Sequence, residues 1–123
     1  MATYSFNSYK LAGAIHNYSI QYNLEANLLI SIAYIESRFQ RHAISSVGCL
    51  SYFQINSKAH SIDYTRIHEE YYNTRWGSMI LVDQLHKYDN NELLALNGYN
   101  GWASYKNPYA NNVLKIKRRL DKI

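Results

Sequence analysis

One glutamate in this chain sits where a charged side chain is out of place. Leu28, Ile32, Ile35 and Phe39 recur at i, i+4, i+7 and i+11, the apolar stripe of an amphipathic helix. At roughly 100° per residue, Glu36 falls between Leu29 and Ile32, inside that stripe rather than opposite it. A carboxyl group there is partly desolvated, which disfavours the charged form and should raise its pKa. A glutamic acid still protonated near neutral pH is what general-acid cleavage of a glycosidic bond requires. The competing assignment is structural, with Glu36 near a helix end pairing with Arg38 or Arg41.

Other reactive groups make weaker constellations. Cys49 is the sole cysteine, so no internal disulfide is possible. Paired with His16, His42, His60, His68 or His86 it could form a thiolate enzyme, but no nucleophile signature surrounds it. A small packing cysteine is the favoured reading. The histidines are isolated and neither H-E-x-x-H nor C-x-x-C occurs, so no metal and no cofactor are expected. Asp63, Glu69 and Glu70 are the candidates for a second carboxylate. None has a defining spacing, and all three are expected on the surface.

Helices must position these groups. A first helix is expected after Ser5, with Leu11, Ile15 and Tyr18 at helical spacing. Asn23 is expected to cap the helix that carries Glu36. Between Gly48 and Ser57 the periodicity breaks, which predicts a loop or small hairpin. A third helix is expected over residues 74–87, where Met79, Ile80, Leu81 and Val82 are apolar on every side and argue for central burial. Asp89 with Glu92 resembles a capping box ahead of a short helix through Leu96. Asn107-Pro108 is a helix start, with proline at the first helical position and Tyr109, Val113, Ile116 and Leu120 on one face. The fold class is therefore mainly α.

At 123 residues and 47% hydrophobic, the chain fits one compact domain, 1–123, without disulfide or metal staples. No apolar run approaches the roughly 18 residues of a membrane span, and residues 1–5 show no signal-peptide pattern. The formal charge is +4, with Lys115, Lys117, Arg118, Arg119 and Lys122 clustered near the end. That cluster is either a solvated helix face or an attraction to a polyanion. No nucleic-acid motif accompanies it, so a nucleic-acid partner is not expected. Thirteen tyrosines supply flat faces with a hydroxyl, a chemistry suited to sugar rings.

Four ordered segments carry a resemblance. Glu36-Ser37-Arg38-Phe39 is followed by Ala43-Ile44-Ser45, Gly48-Cys49 and Phe53-Gln54-Ile55. Asn73, Arg75, Gly77 and Leu81 come next, then Leu94-Ala95-Leu96-Asn97-Gly98-Tyr99-Asn100-Gly101, then Tyr109 with Val113. In order and spacing these resemble the motifs of the soluble lytic transglycosylase family: E-S-x-F…A-x-S…G-A-x-G-L-M-Q, N-x-R-x-G, A-x-Y-N-x-G and Y-x-x-x-V. The likeness spans roughly residues 25–115. Cys49 stands where alanine is usual, Ser51 where glycine is usual, Phe53 where methionine or tryptophan is common, and Trp102 where glycine is typical.

The resemblance implies a lysozyme-like, SLT-type catalytic domain acting on peptidoglycan glycan strands. It implies cleavage of the β-1,4 bond between N-acetylmuramic acid and N-acetylglucosamine, with Glu36 as single acid and base and a 1,6-anhydro product. Ser45, Gln54, Tyr99, Asn100 and, more loosely, Tyr109 match positions that bind substrate, and Tyr99 is the residue expected to orient Glu36 or bind the N-acetyl carbonyl. Two alternatives stay open: a goose-type-like hydrolase using a second carboxylate such as Asp63, and a peptidoglycan-binding module without turnover. Trp102 either stacks on a sugar or packs. A monomeric domain acting in the periplasm or cell wall is expected, delivered in a phage virion or through a secretion apparatus, with membership of a larger assembly in either setting.

Overall fold

A computed structural model of the chain describes the backbone from residue 2 and side chains from residue 9. Five helices and one hairpin follow in order: α1 (Ala2–Gln21), α2 (Ala26–Ser37), β1 (Cys49–Leu50), β2 (Ile55–Asn56), α3 (Glu70–Lys87), α4 (Glu92–Tyr99) and α5 (Tyr109–Asp121). This is the mainly helical arrangement, with a small hairpin after the second helix, expected of a lysozyme-like domain. No described helix is long and apolar enough to cross a membrane.

The core gathers where the helices cross. α1 packs on α3 and α2, α2 on α5, and α4 on both α3 and α5. Leu29, Ile32 and Ala33 of α2 are fully buried in one cluster with Val113 and Ala110 of α5 and with Phe53 and Ile55 from the hairpin region. The expected stripe holds for Leu28 and Ile32, while Ile35 is only half-buried. Phe39 is not on the helix at all. α2 ends at Ser37, and Arg38 and Phe39 both take left-handed backbone, with φ of 53° and 63°. Two consecutive left-handed non-glycine residues carry strain, and such strain collects near functional groups. The chain thereby leaves α2 one residue after Glu36.

Three helix starts differ from expectation, the first two because the expected cap takes left-handed backbone and so cannot stand at an N-cap. Asn23 does not cap α2; it sits in the left-handed region at φ 54° after α1, and Glu25 holds the N-cap position with no side-chain bond. Asp89 is likewise left-handed, and Asn91 caps α4 by accepting a hydrogen bond from the Leu94 N–H. Pro108 takes the N-cap position of α5 rather than its first helical residue, and Asn107 Oδ1 accepts from the Tyr109 N–H at 3.1 Å.

The expected all-round burial of residues 79–82 is corrected as well. Only Leu81 is buried there; Met79, Ile80 and Val82 are half-buried. The buried face of α3 is small and polar instead: Asn73, Thr74, Gly77 and Ser78. Gly77 explains why. A Cβ there would lie 2.6 Å from Phe53 Cγ, so the aromatic ring packs directly on the helix backbone.

β1 and β2 pair antiparallel, Cys49 opposite Asn56 and Leu50 opposite Ile55, with an isolated bridge from Ile44 to Leu50. The hairpin borders α2 through the loop 38–48 and α3 through Asn73. The Asn73 amide accepts from the Phe53 N–H at 2.8 Å and donates to the carbonyls of Ile67 (3.0 Å) and Leu50 (3.2 Å). One buried asparagine thus satisfies three backbone groups in a segment too short to satisfy its own.

Candidate active site

Glu36 lies in the last turn of α2, half-buried. Its Oε2 accepts a 2.6 Å hydrogen bond from the Tyr109 hydroxyl at the start of α5. Burial raises its pKa from 4.5 to about 7, and the Tyr109 hydrogen bond partly opposes that rise. Two arginines near it in sequence point to other groups. Arg38 turns back over the Tyr34 ring at 4.4 Å and donates to its hydroxyl, while Arg41 bonds Glu70. The pairing of Glu36 with Arg38 or Arg41 is thus set aside.

Two tyrosines flank the acid. Tyr109 is buried and is the one whose hydroxyl bonds Glu36. The Tyr99 hydroxyl instead donates to the Phe53 carbonyl at 2.7 Å. Burial raises the pKa of each, and the neighbouring Glu36 charge raises both further. Both hydroxyls therefore remain protonated donors across any physiological pH. Cys49 also bears on Tyr99, which places this half-buried thiol in the same neighbourhood.

The rings of His42 and His68 are 5.1 Å apart, and His60 packs on Trp76 at 5.4 Å. Among the described residues no group of histidine, cysteine, aspartate or glutamate gathers as a metal-ligand set.

Ser45, Gln54 and Asn100 stand in structural bonds of their own. Ser45 Oγ accepts from the N–H groups of Cys49 (3.0 Å) and Val47 (3.3 Å), closing the turn before β1. Gln54, left-handed at φ 51°, donates from Nε2 to the carbonyls of Ala43 (3.0 Å) and Ser51 (2.9 Å). Asn100 Oδ1 accepts from Asn107 Nδ2 at 3.1 Å. Each of the three keeps a polar atom with no protein partner among these bonds: the Ser45 proton, Gln54 Oε1 and the Asn100 amide.

Two asparagines, Asn107 of the expected helix start and Asn97, to which the sequence gives no role, brace the first turn of α5 at Tyr109 and Ala110. Asn97, buried, accepts from the Ala110 N–H at 2.8 Å and donates to the Ser104 carbonyl at 2.8 Å. Asn107, also buried, bonds Asn100, Trp102 and the Tyr109 N–H. The signal for Asn97 was an amide in an otherwise apolar helical run, Leu94-Ala95-Leu96.

The three candidates for a second carboxylate are engaged elsewhere. Asp63 is exposed and accepts from Thr65 Oγ1 (2.6 Å) and Thr65 N (2.9 Å), bonds that lower its pKa. Glu69 is exposed and pairs with Arg66 at 3.3 Å. Glu70 corrects the expectation of a surface position. It is 4% exposed, and its Oε2 accepts 2.5 Å bonds from Arg41 Nη2 and the Tyr52 hydroxyl. Burial alone would raise its pKa, but the Tyr52 and Arg41 bonds outweigh burial and hold it below the usual value.

The basic cluster of α5 is partly neutralised, since Lys117 pairs with Glu25 at 3.0 Å and Asp121 at 2.8 Å. Residues 13–119 match the family described as Transglycosylase SLT domain. No curated protein matches the chain.

Proposed function

Because the chain belongs to the transglycosylase SLT domain family, and so acts on peptidoglycan, we propose that it cleaves the MurNAc-β-1,4-GlcNAc bond without water, with Glu36 as sole acid and base. The observation that carries this reading is the Glu36 carboxyl, protonated to about pH 7 by its burial and held by a single donor, Tyr109.

In the first step Glu36 gives its proton to the glycosidic oxygen as the bond to the anomeric carbon breaks. The acetamido oxygen of the muramoyl residue supports the positive charge that develops there. Glu36, now a carboxylate, takes the proton of the muramoyl 6-hydroxyl, whose oxygen closes onto the anomeric carbon. The ring is a 1,6-anhydro sugar and the enzyme is restored to its acid form. Desolvation suits both halves: it keeps the acid protonated at rest and makes the carboxylate a stronger base once formed. Tyr109 fixes the proton-bearing group in position through the cycle.

Ser45, Gln54 and Asn100 are assigned to sugar binding through the polar atoms that their structural bonds leave over, and Tyr99 through its place beside the acid. The engagement of Asp63, Glu69 and Glu70 with other partners favours transglycosylation over hydrolysis, which needs a second carboxylate at the scissile bond. The domain is read as one unit, residues 1–123, working at the cell wall, with a virion or secretion apparatus as its carrier.

The deciding measurement is mass spectrometry of products from purified cell walls. Anhydro-muropeptides, one water lighter than hydrolytic products, are expected. Products bearing only reducing ends would overturn the transglycosylase assignment, and no product at all would favour a binding module.

A further inference from the structure

The loop between α4 and α5 displays an indole that makes no hydrogen bond or ring contact among the described residues. Trp102 is 54% exposed, whereas the other tryptophan, Trp76, is half-buried against His60. Exposed tryptophan is commonly mobile, yet this one is held at the backbone. Its N–H donates to the Asn97 carbonyl at 3.0 Å, and its carbonyl accepts from Asn107 Nδ2 at 3.0 Å and from the Ser104 N–H at 2.9 Å. Asn97 and Asn107 are the same buried residues that seat Tyr109. The loop is thus braced on the site's own supports, and Trp102 lies in the chain between the two tyrosines that flank Glu36.

The surroundings leave the indole accessible. Gly101, at φ 100°, has nothing within 4 Å of where a Cβ would stand, so the backbone beside Trp102 is a bare ledge. A large apolar face with a polar edge, on a pre-ordered loop beside open space, suits a flat amphipathic ring, because little ordering entropy remains to be lost on binding.

We propose that Trp102 is a stacking platform for a pyranose ring of the glycan strand, contributing substrate affinity beside the Glu36 site. This rests on the reading of the substrate as peptidoglycan glycan. Asn100, exposed and capping α4 two residues earlier, is placed to add a hydrogen bond to the same ring.

The test uses the full chain with Trp76→Phe, so that Trp102 is the only fluorophore of its kind, titrated with chitotetraose. A saturable change in emission is expected. In parallel, Trp102→Ala should raise KM for soluble glycan strands about three- to tenfold, the scale of an aromatic stacking contact, with kcat within about twofold. Trp102→Phe should recover most of that loss, and the melting temperature of Trp102→Ala should be unchanged. Emission that stays constant at chitotetraose concentrations that inhibit cleavage would overturn the platform, as would an unchanged KM or a loss confined to kcat. A saturable response in protein that cleaves nothing would support the platform while removing the catalytic reading.

Discussion

The Tyr109 hydroxyl and the Glu36 carboxylate meet at 2.6 Å across 73 residues of chain. α2 brings one partner at its end and α5 the other at its beginning, and the α2–α5 packing holds the two termini together. The hydrogen bond opposes the rise that burial imposes on Glu36. Burial and the Tyr109 bond thus act on the acid in opposite directions, and each can be altered separately.

The burial of Glu36 couples stability to pH. The folded pKa of Glu36 is about 7 against 4.5 for the ordinary group. For an acid with a raised folded pKa, the proton is bound more tightly in the native state. Its stabilising contribution is complete below about pH 4.5 and is lost as pH rises through 7, to a total of about 3 kcal/mol. Glu36→Gln is neutral at every pH, so it should match the wild type near pH 4 and exceed it in stability at pH 8. Urea midpoints at the two pH values measure this. Equal midpoints at pH 8 would count against a desolvated Glu36. The same substitution should lower cleavage by about a hundredfold or more, the scale of general-acid catalysis.

Removing the Tyr109 bond should move the pH profile of cleavage. The acid form is needed, so kcat/KM should fall above about pH 7. Tyr109→Phe removes the one bond that favours the charged form, so the alkaline limb should shift to higher pH. Loss of orientation should also lower kcat about tenfold. A limb that moves to lower pH would show that Tyr109 acts on Glu36 in some other way.

Glu70 gives a pH dependence of opposite sign. Burial works against its charged form, but the Tyr52 and Arg41 bonds win and lower its folded pKa. Its contribution is present above the ordinary glutamate value and is lost as pH falls through the depressed one. Glu70→Gln should destabilise the protein by about 2 kcal/mol at pH 7, the cost of leaving Arg41 without its carboxylate. The difference should shrink in acid. Thermal melts at pH 7 and pH 3 provide the comparison, and a constant difference would remove the linkage.

Ser51 is a site where substitution should help. It is fully buried at φ 67°, and its hydroxyl has no hydrogen-bond partner among the described residues. A glycine takes left-handed backbone without the Cβ penalty, which explains glycine at this position in the family motif. Ser51→Gly should stabilise by about 1 kcal/mol, the relief of strain and of an unpaired hydroxyl outweighing the entropy of glycine in the unfolded chain. A lower melting temperature in the variant would show that the serine side chain contributes packing that outweighs both.

Much of this was legible because it is local. The apolar spacing around Glu36 is a property of one helix, so its place on a buried face could be read before any neighbour was known. The hairpin announced itself by a broken period over residues 48–57. What failed depended on neighbours. α3 buries a small polar face because Phe53 arrives from another segment and needs Gly77, and no pattern within α3 reveals that. Glu70 looked like a surface carboxylate because its partners, Arg41 and Tyr52, come from the preceding loops.

The sequence by itself therefore determined a mainly helical chain and a desolvated glutamate at position 36, since helical periodicity acts over one turn to the next. Only the tertiary structure decided that Tyr109 rather than Tyr99 touches the acid. Both tyrosines sit at helix termini near the site, and the choice between them turns on where the Phe53 carbonyl lies, because it is that carbonyl that takes the Tyr99 hydroxyl.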